Sequence, residues 1–196
     1  MTRLSEAILF AARCHDGMLR KGTETPYIVH PMEATAIAAA LTQDEDILCA
    51  CMLHDVAEDC GVTEEELAAR FGARTAQLVM SETQLCDGDP RLTWERRKRS
   101  ALERIQNGDR AVKLIALADK LSNLRAIRRD FERDAEAMFS RFHQHDKRKH
   151  AWYYLSVVEL LRDEFSQTRE WQEMRMHAQY VFCGEAQEEG ETACVV

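Results

Sequence analysis

Proline and glycine are scarce in this chain, three and eight among 196 residues. A turn-rich β-sandwich needs more of both, and no segment alternates apolar and polar residues at the period of two that a half-buried strand requires. No apolar run approaches the roughly 20 residues of a membrane span. Arg3, Glu6 and Arg13 crowd the short apolar stretch 7–12, so the start of the chain does not read as a secretory signal. The seven cysteines (Cys14, Cys49, Cys51, Cys60, Cys86, Cys183 and Cys194) are odd in number and include no Cys-x-x-Cys pair. That pattern fits neither a disulfide scaffold nor a zinc knuckle. The expectation is a cytoplasmic protein with no membrane partner.

What is present points to one folded domain. Apolar residues make up 45% of the chain, too many for a disordered segment and enough for a sizeable core. The formal net charge is −8, which disfavours duplex nucleic acid as a partner. The charge is uneven, however. Residues 91–149 hold 17 Lys and Arg against 9 Asp and Glu, so a local basic wall for a small polyanion is available.

Nearly every segment repeats at helical period. Leu4, Ile8, Ala11 and Ala12 place a helix over about 3–16, and Gly17 to Pro31 forms the first loop. Pro31 suits the first turn of a helix over 31–41. Asp44 caps a helix running through His54 to about Asp59, and Thr63-Glu64-Glu65-Glu66 is a capping box. Helices over about 73–83, 92–107, 110–129, 134–143, 147–164 and 168–182 follow, with a loop at Cys86 to Pro90. The reading is all-α: one domain over 1–183, and an acidic, unpatterned, mobile tail over 184–196.

Four polar residues interrupt apolar, helix-period segments. His30 sits between Tyr27-Ile28-Val29 and Pro31, His54 and Asp55 follow the run Ile47 to Leu53, and Asp119 breaks the run Leu114 to Ala118. Burying such groups unpaired is costly, so they need partners. Two histidines and two aspartates suit a divalent first-row metal. Glu58 and Asp59 lie one helical turn beyond His54 and Asp55 and add two carboxylates to that face. The plainer alternative for Asp119 is a buried ion pair with Lys113 or Arg125.

The order His30, His54-Asp55, Asp119 resembles the HD-domain metal-dependent phosphohydrolases. Arg20-Lys21-Gly22-Thr23 with Pro26-Tyr27-Ile28-Val29-His30-Pro31, the block Leu53 to Asp59, Phe71-Gly72, and the block Ala118 to Arg125 are similar to the RelA/SpoT hydrolase domain. Trp94 to Lys98 and Trp152-Tyr153-Tyr154 resemble features of its compact single-domain bacterial members. The resemblance covers about residues 4–165 and implies an HD-domain helical bundle with the metal site between helices. It implies His30, His54, Asp55 and Asp119 as ligands of Mn²⁺, or another divalent metal, and Glu58 and Asp59 as the catalytic pair that orients or deprotonates the attacking water. Arg20 and Lys21 would contact the nucleotide, Lys98 the phosphates, and Asn123 the sugar or adjoining phosphate. The implied activity is removal of the 3′-pyrophosphate from guanosine tetra- or pentaphosphate, (p)ppGpp, yielding GDP or GTP and pyrophosphate.

Two departures from the family pattern stand out. Val56-Ala57 replaces the commoner Thr-Val, and the segment 81–89 carries no cation where the family has a polar, basic substrate loop. A chain of 196 residues leaves no room for an added synthetase domain. Two other readings compete: an HD phosphatase acting on another nucleotide or dinucleotide, such as NADPH or a 5′-nucleotide, and a non-catalytic nucleotide-binding HD scaffold. Retained Glu58-Asp59 argues against the scaffold, which has no use for a carboxylate pair beside the ligands. Tyr27 and the 152–154 aromatics read as core packing, and Lys147 to His150 as a solvated face. Nothing in the sequence sets an oligomeric state.

Overall fold

The computed structural model describes residues 1–83, 90–140, 142 and 144–184, with backbone alone at 90–92. The expected tail, from 185 onward, and the 86–89 stretch of the expected loop lie outside the described residues. The chain forms α1 (Arg3–Cys14), α2 (Val29–Ala39), α3 (Glu45–Leu53), α4 (Val56–Cys60), α5 (Glu64–Phe71) and α6 (Ala73–Glu82). It continues with α7 (Pro90–Asn107), α8 (Arg110–Arg133), α9 (Ala135–Ser140), α10 (Lys147–Leu160), α11 (Arg162–Phe165) and α12 (Arg169–Cys183). Among the described residues the only β pairing is a single bridge between Leu19 and Pro26. The all-α expectation holds.

Side-chain caps set most helix starts. Asp44 accepts from the Asp46 amide, Asp109 from the Ala111 and Val112 amides, and Thr63 from the Glu66 amide as the capping-box sequence requires. Each such cap is worth about 1 kcal/mol.

The long helix α8 is the spine. Leu114, Ile115, Leu117, Ala118, Leu121 and Leu124 are buried around nearly its whole circumference, so neighbours must cover every side. Helices α2 and α12 pack along it, while α3 joins α1, α2 and α6 and also reaches α8. Helix α7 closes against α8 and α10. The site lies where α2, the α3–α4 junction and α8 converge.

Two segments expected as single helices are broken. The 147–164 segment divides at Leu161 into α10 and α11. The helix expected from Asp44 to Asp59 stops at Leu53, and α4 begins only at Val56. The second break has chemical consequences. Adjacent residues on a continuous helix point about 100° apart and cannot converge on one atom. Asp55 instead sits at φ −96°, ψ −9°, which turns its carboxylate toward its neighbour's imidazole. Gly61, at φ 69°, then ends α4 in the left-handed conformation that glycine adopts without strain.

Candidate metal centre

His30 and His54 face each other through Nε2 atoms 3.2 Å apart, both rings buried. Asp55 Oδ2 lies 3.0 Å from His54 Nε2 and 3.6 Å from His30 Nε2. Asp119 Oδ1 lies 3.1 Å from His30 Nε2 and 3.7 Å from His54 Nε2. The structure therefore brings together all four residues that the sequence singled out as ligands.

The far sides of the two rings assign their tautomers. His54 Nδ1 donates to the Cys51 carbonyl at 2.7 Å, and a carbonyl can only accept. Ser122 spends its hydroxyl proton on Glu33 at 2.7 Å, so its oxygen accepts from His30 Nδ1 at 2.8 Å. When both rings are neutral, their Nε2 lone pairs aim at one point that two carboxylates also face. Such convergence of lone pairs and negative charge is stable around a cation, and outer partners that fix ring orientation are what metal-ligating histidines use. The donor set fits a divalent metal.

Without a cation there, the carboxylates draw a proton onto one of the two rings instead. Burial disfavours charge on His30 and holds it below the ordinary histidine range. Burial works against His54 too, but Asp55 and Asp119 outweigh it and push it up to about 10. Asp55 stays below the usual carboxylate range despite burial, because the charge of His54 and its hydrogen bond favour the ionised form. Asp119 is held down against burial by the Lys120 ammonium and by His30.

The alternative partners considered for Asp119 are engaged elsewhere: Lys113 pairs with Glu164 at 2.6 Å, and Arg125 with Glu33 and Glu173. Asp119 instead binds its neighbour Lys120 through Oδ2 and accepts from Asn123 Nδ2 at 2.6 Å through Oδ1. Lys120 is a participant the sequence did not reveal, since a lysine beside an aspartate on a helix reads as solvated. The clue was its place inside a run that is otherwise core.

Arg20 Nη2 donates to Asn123 Oδ1 at 3.0 Å, which continues the chain from Asp119 outward. The bridged loop places Arg20 and Lys21, and α8 places Asn123, on the wall of a cleft of about 970 Å³ that His30 also lines. Tyr154, Ala126 and Ile127 give that cleft apolar surface, and its remaining charges are mixed, Arg129 and Arg133 against Glu24, Glu33, Asp130 and Glu132. Lys98 does not line it. Its ammonium stands over the Tyr153 ring at 4.6 Å and senses Lys120, Asp119 and Glu58. It reaches the centre from α7 rather than from the cleft wall.

Glu58 and Asp59 lie on α4 as solvent-facing residues, the Asp59 side chain keeping 27% of its accessible surface. Burial, then the charge of Asp55, raises the Asp59 carboxyl above its ordinary range. Tyr27, expected as packing only, donates its hydroxyl to Asp55 Oδ2 at 2.7 Å. His150, expected on a solvated face, is buried among Trp94, Phe139 and Phe142 and donates through Nε2 to the Gln144 carbonyl at 2.8 Å.

The sequence model of the HD domain family matches residues 7–146, well over half of the chain. This chain belongs to the HD-domain family. A human relative named guanosine-3′,5′-bis(diphosphate) 3′-pyrophosphohydrolase is 40% identical over 133 residues, which cover 65% of this chain and 70% of that one. The Vibrio cholerae protein of the same name is 37% identical over 130 residues, 63% of this chain. The match to that protein spans only 18% of its length, and a Myxococcus xanthus GTP pyrophosphokinase, 35% identical over 63% of this chain, is matched over 17%. Among solved structures, one described as a metazoan ortholog of SpoT that hydrolyzes ppGpp superposes with a TM-score of 0.73 at 27% identity, covering 90% of this HD-domain chain and 94% of its own. No helix among the described residues of this HD-domain protein is long and apolar enough to cross a membrane.

Proposed function

We propose that this HD-domain protein is a metal-dependent phosphohydrolase that removes the 3′-pyrophosphate of guanosine tetra- or pentaphosphate. The observation that carries the reading is a four-donor cluster suited to a cation, one member of which, His30, also lines a cleft walled by Arg20, Lys21 and Asn123. The names of the human and Vibrio cholerae relatives supply the substrate class. His30, His54, Asp55 and Asp119 would hold the metal, with Mn²⁺ as the proposed resident. A divalent cation, when bound, supplies Lewis-acid polarisation and charge neutralisation at the scissile phosphate.

The chain's own residues do the rest. Arg20 and Lys21 offer charge-assisted hydrogen bonds to a polyanionic nucleotide, and Asn123, tied to both Arg20 and Asp119, fixes the nucleotide's position relative to the ligands. Lys98 brings a cation from α7 to the leaving pyrophosphate. Asp59 accepts a proton from the attacking water, with Glu58 orienting it. Burial and the charge of Asp55 make the Asp59 carboxylate a stronger proton acceptor than a free one.

The test is incubation of the Mn²⁺-loaded chain with (p)ppGpp, NADPH and 5′-nucleotides, with products separated by chromatography. The expected products are GDP or GTP and pyrophosphate. Hydrolysis confined to NADPH or a 5′-nucleotide would reassign the substrate, and nucleotide binding without turnover would leave a scaffold. The double variant Glu58→Gln, Asp59→Asn should keep metal and nucleotide binding while turnover falls by roughly 10²-fold or more. Turnover surviving intact would remove the pair from the mechanism.

A further inference from the structure

The cleft extends well past the metal centre. Asn123, Ala126, Ile127, Asp130 and Arg133 of α8 all line it, at spacings that keep to one helix face, and Arg129 stands at the edge of that face. At 1.5 Å per residue the wall runs about 15 Å from Asn123, which touches the ligand Asp119, to Arg133. Side-chain bonds on a helix tilt toward its N-terminus, which directs both arginines back toward the metal centre.

Arg129 and Arg133 carry charge that the fold does not answer. Both are exposed, and neither forms an ion pair with a described residue. The acids of the same wall are spent elsewhere: Glu33 on Arg125, Glu132 on Arg128, and Asp130 in an interaction of its own. The two arginines stand at i and i+4, where like charges repel. An anion that accepts from both relieves that repulsion, and the guanidinium fork suits phosphate oxygens. Along α8, Ala126 and Ile127 separate this pair from Asn123. The cleft thus offers polar recognition at two ends with an apolar stretch between, the pattern of a nucleoside phosphorylated at both ends.

We propose that Arg129 and Arg133 form the site for the 5′-phosphates of the nucleotide. The substrate then lies along α8, its 3′-pyrophosphate at the metal centre and its nucleoside over Ala126 and Ile127. This rests on the proposed substrate class, and it makes the arginine pair the feature that selects nucleotides phosphorylated on both sides of the ribose.

Kinetics on two substrates test it. Guanosine 3′-diphosphate carries the same scissile group as ppGpp and no 5′-phosphate. With the Mn²⁺-loaded wild type its KM should be about tenfold above that of ppGpp, the scale of a charge-assisted contact in partly open surroundings. The double variant Arg129→Gln, Arg133→Gln should raise KM for ppGpp about tenfold with little change in kcat, while KM for guanosine 3′-diphosphate moves less than twofold. Glutamine is a good helix former, so the variant should melt as wild type does. Equal rises for both substrates would mean a long-range charge effect, and no rise would mean that the arginines are merely solvated. Either result overturns the assignment.

A binding measurement separates this inference from the activity reading. By titration calorimetry on the metal-free protein, wild type should bind GDP about tenfold more tightly than guanosine, and the double variant should lose that preference. If ppGpp is not hydrolysed but the preference is present and lost in the variant, the phosphate site stands and the activity reading falls. If ppGpp is hydrolysed but wild type shows no preference, or the variant keeps it, the phosphate site falls and the activity reading stands.

Discussion

Lys98 shows how single residues in this site carry environments that alter their chemistry. Burial, followed by the neighbouring Lys120 ammonium, lowers its pKa from the ordinary lysine range to about 8. A lysine is charged below its pKa, so the cation is present at pH 7 and is lost as pH rises through about 8. If Lys98 binds phosphate in the ground state, KM for the nucleotide should climb between pH 7 and 9. Lys98→Arg should flatten that rise, because guanidinium stays charged throughout. Lys98→Met should raise KM about tenfold at pH 7, the scale of one charge-assisted hydrogen bond, with little change in kcat. Steady-state kinetics across pH check all three, and a pH-independent KM in wild type would remove Lys98 from substrate binding. The residue types of the metal centre were legible because four polar side chains stood in apolar runs. Lys120 and Tyr27 were not legible in the same way, since a lysine and a tyrosine each have ordinary roles on helices and loops. Only the fold shows which atoms they face.

At the scale of elements, α8 acts as the frame of the site. Asp119, Ser122 and Asn123 share one face at i, i+3 and i+4, so a single helix supplies a ligand, a support for His30 and a link to Arg20. Two residues beyond Asn123, Arg125 binds Glu33 of α2 at 3.2 Å and makes a two-pronged pair with Glu173 of α12 at 2.7 and 2.8 Å. Glu33 in turn holds the Ser122 hydroxyl that supports His30, so α12, beyond the matched family region, is wired to a metal ligand. Glu173→Gln should weaken Mn²⁺ affinity by up to about tenfold, the low end of losses seen when outer partners of a ligand are changed. Titration calorimetry reads this directly, and unchanged affinity beside a lowered melting temperature would confine the pair to holding α12 in place. Helical periodicity located nearly all of these elements before the fold was known. It missed the break after Leu53, because the apolar spacing runs smoothly through His54. The break is set by tertiary partners of Asp55, namely His54 and Tyr27, and no local pattern encodes them.

The whole molecule folds around a point where lone pairs and negative charge converge, and that couples its stability to the metal. In the metal-free protein the carboxylates are offset by a charged His54 and the Tyr27 hydroxyl at Asp55, and by Lys120 and Asn123 at Asp119. A cation binding the folded chain and not the unfolded one adds about 2.7 kcal/mol at a hundredfold excess over its dissociation constant. For a domain of this size that corresponds to a rise of about 5–10 °C in Tm. Mn²⁺ should therefore raise Tm and a chelator should reverse the rise. Variants of the ligands separate two contributions. His54→Ala should abolish the increment while costing the metal-free protein less, since Asp55 keeps the Tyr27 hydroxyl as a partner. Asp119→Ala should abolish it too, but should also lower the metal-free Tm sharply, because it leaves the Lys120 ammonium buried without its counter-charge, a loss of about 3–5 kcal/mol. Scanning calorimetry of wild type and both variants, with and without Mn²⁺, checks these outcomes. An equal Mn²⁺ increment in all three proteins would mean the cation binds elsewhere. Equal metal-free melting of the two variants would mean that Lys120 escapes to solvent once Asp119 is gone.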